Sequence, residues 1–212
     1  RRGDQLALRV VGRKAIGMRL LDGARRVDLR HGSHGPIVSY PDVVIVTPDV
    51  EPPVRRWQPV PVRSVVEALA ASSRPGSGRP VVIAVDGRQG GGKSTLAARI
   101  AAHVPGSVIV HTDDVAWWES FLGWDHLMAA GILEPAGRGE AVRYRPPAWD
   151  ARDREGTIDV PLGTTWIIVE GVGSSRRSLR HLVDASVWVQ SDYAEARRRG
   201  IARDGDDAAA EA

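Results

Sequence analysis

The residues best equipped for chemistry are Gly87-Arg88-Gln89-Gly90-Gly91-Gly92-Lys93-Ser94. They fit the spacing G-x-x-x-x-G-K-S/T, in which glycines let successive backbone N–H groups converge on an anion. On this reading Gly87, Gly90, Gly91, Gly92, Lys93, Ser94 and Thr95 cradle the phosphates of a nucleoside triphosphate. Lys93 reaches the β- and γ-phosphates, and the Ser94 hydroxyl ligates Mg2+. A helix starting near Lys93 adds unpaired N–H donors and the positive end of its dipole, worth up to ~2 kcal/mol. Of the 29 basic residues only Lys14 and Lys93 are lysines. A chain so rich in arginine still puts a compact ammonium where phosphate oxygens must be reached.

The motif needs a strand before it and a helix after it, and both are legible. Pro80 to Val85 is a continuous apolar run of strand length, and Thr95 to Ala102 has the composition of a helix. Further strands are expected at Val108–His111, Trp166–Glu170 and Ala185–Val189. Helices are expected at Val62–Ala71, Lys93–His103, near Trp124–Ala130, near Arg177–Leu182 and at Asp192–Ala202, the last opened by a capping-box-like Asp192-x-x-Glu195. Alternating strands and helices predict an α/β fold, a mainly parallel sheet flanked by helices. Residues 1–55 read as a small β-rich segment of unassigned role, with a hairpin around Asp22-Gly23 and a strand at Val43–Val46. Residues 56–212 read as the phosphate-binding domain.

Ligands of open α/β sheets bind at the carboxyl ends of strands, and acidic residues fall there. His111-Thr112-Asp113-Asp114 follows the second core strand and Glu170-Gly171 closes the third. A carboxylate beside a γ-phosphate can hold Mg2+ or take the proton of an attacking hydroxyl. Asp113 is assigned the base role, with access to the metal, and Glu170 a place beside Ser94 around Mg2+. The plainer alternative is that these are strand-end turn residues.

Together, Val85-Asp86-Gly87 through Ser94-Thr95, Thr112-Asp113-Asp114 and Val169-Glu170-Gly171 resemble the uridine kinase-like group of P-loop small-molecule kinases, related to pantothenate kinases and phosphoribulokinases. The resemblance spans about residues 62 to 205 and implies a P-loop NTPase fold, ATP and Mg2+ as cofactors, and a small-molecule hydroxyl as acceptor. Trp124-Asp125-His126 is similar to a family segment whose Asp contacts the nucleoside sugar. Tyr144 to Asp150, with Trp149, is a looser counterpart of an element near the base. The resemblance therefore implies Asp125, His126, Tyr144 and Trp149 as acceptor-binding residues. Arg197 to Asp204 is similar to an arginine-rich lid helix, which implies Arg198, Arg199 or Arg203 as the groups that neutralise the transferring phosphoryl. The sequence departs from the family where Val115-Ala116-Trp117 follows the acidic pair and where Leu127-Met128-Ala129 follows His126.

Composition bounds the rest. The chain has 212 residues, is 42% hydrophobic and carries a net charge of +3, so nucleic-acid binding is not demanded. It has no cysteine, hence no disulfide, thiol nucleophile or thiolate metal site. No apolar run approaches a membrane span and no signal peptide is visible, so a cytoplasmic location is expected. The start at Arg1-Arg2 and the end at Asp206 to Ala212 read as those of a fragment cut at its C-terminus. Trp117, Trp118, Trp124 and Trp149 either wall a pocket or anchor an insertion, and the arginine run 197–199 is either a lid or a solvated helix face. Trp166 and Trp188, within strands, are expected in the core. His31 and His34 are too little for a metal site. Two other functions compete with a kinase: a nucleotide-dependent regulatory ATPase and a non-catalytic ATP-binding module. The chain has no asparagine, which removes the Asn-Lys-x-Asp guanine-recognition motif.

Overall fold

The computed structural model describes residues 60–73, 78–121 and 123–204, and the strand backbones of 7–12, 38–40 and 43–45. The hairpin expected around Asp22-Gly23, His31, His34, the boundary near residue 55 and the C-terminal residues 205–212 lie outside them.

Strands β1 (Ala7–Gly12), β2 (Val38–Tyr40) and β3 (Val43–Ile45) precede helix α1 (Val62–Ser72). Then come β4 (Val81–Gly87), α2 (Lys93–Ala101), β5 (Val108–His111) and α3 (Thr112–Ala116). Helix α4 (Asp125–Met128), a π-helical turn (Ala129–Leu133) and α5 (Glu134–Gly137) follow without a break. β6 (Val142–Tyr144), α6 (Pro147–Ala151) and β7 (Ile158–Val160) complete this insertion. The chain returns through β8 (Trp166–Glu170), a 3-10 turn (Arg177–Leu179), β9 (Ala185–Gln190) and α7 (Tyr193–Asp204).

The main sheet has the order β1-β9-β4-β8-β5; β4, β8, β5 and β9 run parallel and β1 is an antiparallel edge. From β4 the chain crosses to β5, fills the place between them with β8, then passes to β9 on the other flank. The order thus reverses beside β4, which puts a crevice at the carboxyl end of that strand. β1 belongs to this same sheet, paired along its length with β9. β2 and β3 form a separate hairpin.

Side chains alternate across β4, and each face seeds a core. Val81, Ile83 and Val85 pack with Leu69, Leu96, Ile100, Ile168 and Val187 under α1 and α2. Val82 and Ala84 face the other way, against Val110, Ile167, Val169 and the insertion residues Trp124, Met128, Ile132, Leu133 and Trp149. Trp166 is 8% exposed, as its strand position suggests, whereas Trp188 is 40% exposed because β9 turns it out of both cores. Asp184, 2% exposed, accepts hydrogen bonds from Arg79 Nη1 (2.8 Å), Arg79 Nη2 (2.7 Å) and Val82 N (2.9 Å), tying the entries of β4 and β9. Among the described residues no helix is long and apolar enough to cross a membrane.

Candidate functional site

The glycine-rich loop leaves the carboxyl end of β4 and runs straight into α2. Gly92, with φ 95°, occupies the N-cap, and no side chain caps the helix, so its first N–H groups face the loop's concavity. Lys93, 8% exposed, extends its ammonium to the Arg88 carbonyl oxygen, 2.9 Å away. Gly90 shows why this position excludes a side chain. Its φ is +68°, and a Cβ there would lie 2.0 Å from the Ala196 carbonyl oxygen. The loop therefore seats directly on the backbone of α7, and Arg88 reaches over the Tyr193 ring, 5.3 Å from its centroid.

Glu170 ends β8, directly beside β4 and in register with Val85. It is 5% exposed. Its Oε1 accepts from Ser94 Oγ (3.1 Å) and its Oε2 pairs with His111 Nδ1 (2.7 Å). Burial opposes ionisation of Glu170, but the hydrogen bonds from His111 and Ser94 and the charge of Lys93 outweigh it, leaving its pKa below the ordinary glutamate value. The hydrogen bond to Glu170 raises the pKa of His111 despite partial burial, and the charges of Glu170, Asp114 and Asp113 add to it. His111, at the end of β5, is thus the partner that holds Glu170.

Asp113 and Asp114 open α3, a short helix that the polar run did not suggest. They diverge. Asp114 is half-buried and bonded to Arg154 Nη2 (2.5 Å), and its main-chain oxygen accepts from Trp149 Nε1 (2.9 Å). Asp113 is exposed at the carboxyl end of the sheet, with Thr112 Oγ1 at 3.5 Å.

On the far side, Asp125 starts α4 beside Arg176, with Asp125 Oδ1 3.9 Å from Arg176 Nη1. A hydrogen bond from Ser178 lowers the Asp125 pKa against the effect of desolvation, and the Arg176 charge lowers it further. His126 is exposed next to it. Tyr144 is half-buried on the π-helical turn, where Gly131 makes room: a Cβ on Gly131 would stand 2.4 Å from Tyr144 Cε2. Burial, with the charge of Glu119, raises the Tyr144 pKa. Trp149 is 4% exposed and Trp124 1%, their indole N–H groups bonded to the Asp114 and Phe121 carbonyls. Arg154 stacks on Trp149 (3.8 Å) and on Trp117 (5.2 Å), and Arg152 covers Trp118 (4.0 Å). Trp124 and Trp149 anchor the insertion, Trp149 with its ring against Arg154, whereas Trp118 is 65% exposed.

α7 carries the arginine run. Asp192 Oδ1 caps it by accepting from Glu195 N (3.2 Å). Glu195 pairs with Arg198 and with Arg199 Nε (2.9 Å), while Arg197 is exposed. The side chain of Arg203 lies outside the described residues.

Asp86, the last side chain of β4 before the loop, has no role in the sequence reading. It is 4% exposed and accepts four hydrogen bonds: Gly87 N (2.7 Å) and Gly173 N (2.9 Å) on Oδ1, Ser175 N (2.9 Å) and Ser175 Oγ (2.6 Å) on Oδ2. One carboxylate thus joins the glycine-rich loop to the loop after Glu170. Only the neighbourhood of Gly87 marked it, because its other partners are remote in sequence.

Among the described residues no group of three or more His, Asp or Glu could hold a metal ion by itself. The Ser94 hydroxyl and Glu170 carboxylate are hard oxygen donors of the kind that suit Mg2+, which takes few protein ligands and relies on phosphates and water for the rest. The donor set fits that ion.

No protein-family model matches the chain and no curated protein is detectably similar to it. Among solved structures it is similar to a candidate fructose transport system kinase from Silicibacter sp. TM1040, with a TM-score of 0.51 and 19% identity, over 72% of this chain and 88% of that one. A candidate uridine kinase from Bacillus stearothermophilus matches with a TM-score of 0.46 and 19% identity, over 71% of this chain and 90% of that one. The first of these likenesses shows a shared fold, a mainly parallel sheet flanked by helices.

Proposed function

We propose that this protein is an ATP-dependent kinase that transfers the γ-phosphate to a hydroxyl of a small molecule, with a nucleoside as the acceptor that the sequence resemblance favours. The observation that carries the reading is the pairing of Ser94 with the buried Glu170 at the mouth of the glycine-rich loop, 3.1 Å apart. A hydroxyl at the start of the phosphate-binding helix and a carboxylate on the adjacent strand end suit a magnesium nucleotide.

In this reading the loop N–H groups and Lys93 bind the phosphates and hold them in line with the acceptor. Ser94 and Glu170 would hold Mg2+, which, when bound, draws charge from the phosphate oxygens. Asp113 takes the acceptor proton. Its neighbour Asp114 is committed to Arg154 and the tryptophan cluster, which supports Asp113 as the base. Asp125 orients the acceptor, with His126 and Tyr144 beside it. Arg199 and Arg203 on α7 supply positive charge to the transferred group, Arg199 leaving Glu195 to do so.

The test is ADP formation from ATP with nucleosides, free sugars and small alcohols as acceptors, for the protein as given, Lys93→Ala and Asp113→Asn. Acceptor-dependent turnover is expected, abolished by Lys93→Ala and reduced by at least 100-fold by Asp113→Asn, about the contribution of general base catalysis. ATP hydrolysis indifferent to every acceptor would support the regulatory ATPase instead, and an Asp113→Asn variant as active as its parent would remove Asp113 from the mechanism.

A further inference from the structure

Arg176 holds a charge in an expensive place. Its side chain is 18% exposed and its guanidinium lies over Trp124, 5.2 Å from the ring centroid. Nη1 is fully buried and has no hydrogen-bond partner among the described residues. The Asp125 carboxylate is the charge that faces it, but at 3.9 Å the pair is too long for a hydrogen bond. A buried guanidinium N–H left unpaired is destabilising, and a chain does not keep one for packing alone when a methionine would fill the same space.

The arginine is also held in place from behind. The Arg176 backbone N–H donates to Gly173 O (3.1 Å), and Gly173 and Ser175 are both fastened to Asp86. Asp125 is held by a hydrogen bond from Ser178, two residues beyond Arg176 on the same loop, and by its place at the first turn of α4. Both groups are thus tied to the loop that follows β8, with 3.9 Å left between their charged atoms. A single oxygen about 2.8 Å from each group spans a gap of that width, provided it accepts from nitrogen and donates to a carboxylate. A hydroxyl does both; a carboxylate or phosphate oxygen does only the first and is repelled by Asp125.

We propose that Arg176 is an acceptor-side specificity residue: with Asp125 it grips one hydroxyl of the acceptor, the arginine donating and the carboxylate accepting. On binding, that hydroxyl bridges the pair, and Nη1 gains the partner it lacks among the described residues. This rests on the kinase reading above and adds to it a residue and a selection rule. The acceptor carries an uncharged hydroxyl beside the one phosphorylated, and anionic groups at that position are rejected.

The experiment uses Arg176→Met, which keeps the contact with Trp124 and removes the charge, and Arg176→Lys, which keeps the charge without the fork. Each is assayed with the best acceptor from the screen, with its analogue lacking one hydroxyl, and with its phosphorylated counterpart. For Arg176→Met, acceptor KM should rise about 10- to 100-fold, the scale of one charged hydrogen bond, while ATP KM stays within about two-fold. Its preference for the acceptor over the deoxy analogue should shrink by a similar factor, and its effect should not add to that of Asp125→Asn. The melting temperature is measured in parallel to show that the variant is folded. Unchanged acceptor KM and unchanged discrimination in a folded Arg176→Met variant would overturn the assignment while leaving the kinase reading intact. A parent protein that phosphorylates no acceptor would overturn both.

Discussion

Replacing Asp86 with asparagine should be among the most damaging isosteric changes available in this chain. The carboxylate takes two hydrogen bonds on each oxygen, all from 2.6 to 2.9 Å, at a site 4% exposed. An asparagine keeps one acceptor oxygen. If that oxygen serves Gly87 and Gly173, the new NH2 group faces Ser175; the hydroxyl can rotate to accept, but the Ser175 N–H then meets another donor. The reverse orientation opposes two backbone N–H groups and is worse. Two charge-assisted hydrogen bonds are therefore weakened or lost and one N–H is left buried without a partner. At about 1.5–3 kcal/mol for each bond to a charged group, the loss for two comes to roughly 3–6 kcal/mol. Against a typical stability of about 5–15 kcal/mol, that is a large fraction. Equilibrium denaturation in urea measures it as a shift in midpoint at constant slope. Ser175→Ala, which removes one hydroxyl donor to that carboxylate, should cost about 1.5–3 kcal/mol and sets the scale. If Asp86→Asn costs less than Ser175→Ala, the four-bond picture of this carboxylate is wrong.

Two other outcomes follow from the same geometry. Gly90→Ala places a methyl 2.0 Å from the Ala196 carbonyl oxygen at φ +68°, so α7 must move off the loop; beyond the ~1–2 kcal/mol for the left-handed backbone, nucleotide affinity measured by titration calorimetry should fall at least tenfold. The His111–Glu170 pair predicts a pH window for stability. His111 has its pKa raised from 6.5, so its contribution is complete below about 6.5 and fades as pH rises through the raised value; Glu170 has its pKa lowered from 4.5, so its contribution is complete above about 4.5 and fades as pH falls through the lowered value. The stability difference between the parent and His111→Gln should thus be largest between those limits and shrink toward pH 9, and a difference that is flat across that range in thermal melts would refute the pairing.

What the sequence announced and what it hid divide along the distance over which each signal acts. β4, the glycine loop and α2 are contiguous, and the apolar run, the glycines and the helix-forming residues mark them within a short stretch of chain. β5 and β8 match their expected limits and β9 exceeds its own by a single residue, because buried parallel strands are short apolar runs between turns. β6 and β7 were invisible: three residues each, joined across thirteen, they are too short for any period to register. The helix near Trp124 extends to Gly137 through Pro135, a residue that reads as a breaker. The proline falls in the first turn of α5, immediately after the π-helical turn, where the loss of its N–H is tolerated. α3 was missed because Thr112-Asp113-Asp114 resembles a turn as much as a helix start.

The acceptor side shows the same division more sharply. For the four tryptophans from Trp117 to Trp149, the sequence left a pocket wall and an anchor for the insertion equally open, because it reports an aromatic's presence and not what lies on its faces. Here arginines lie there: Arg154 on Trp149 and Trp117, Arg152 on Trp118, Arg176 on Trp124. Arg154 is also neutralised by Asp114, so that stack is closed on itself. Arg176 differs in a way only geometry reveals, for its carboxylate stops at 3.9 Å and its buried Nη1 stays unpaired. A chain that supplies arginine so freely can seal most of its aromatic surface with guanidinium groups. The arginine left with an unfilled hydrogen bond beside Asp125 is therefore the one to test for contact with the acceptor, and the stacked ones are those whose removal should loosen the insertion.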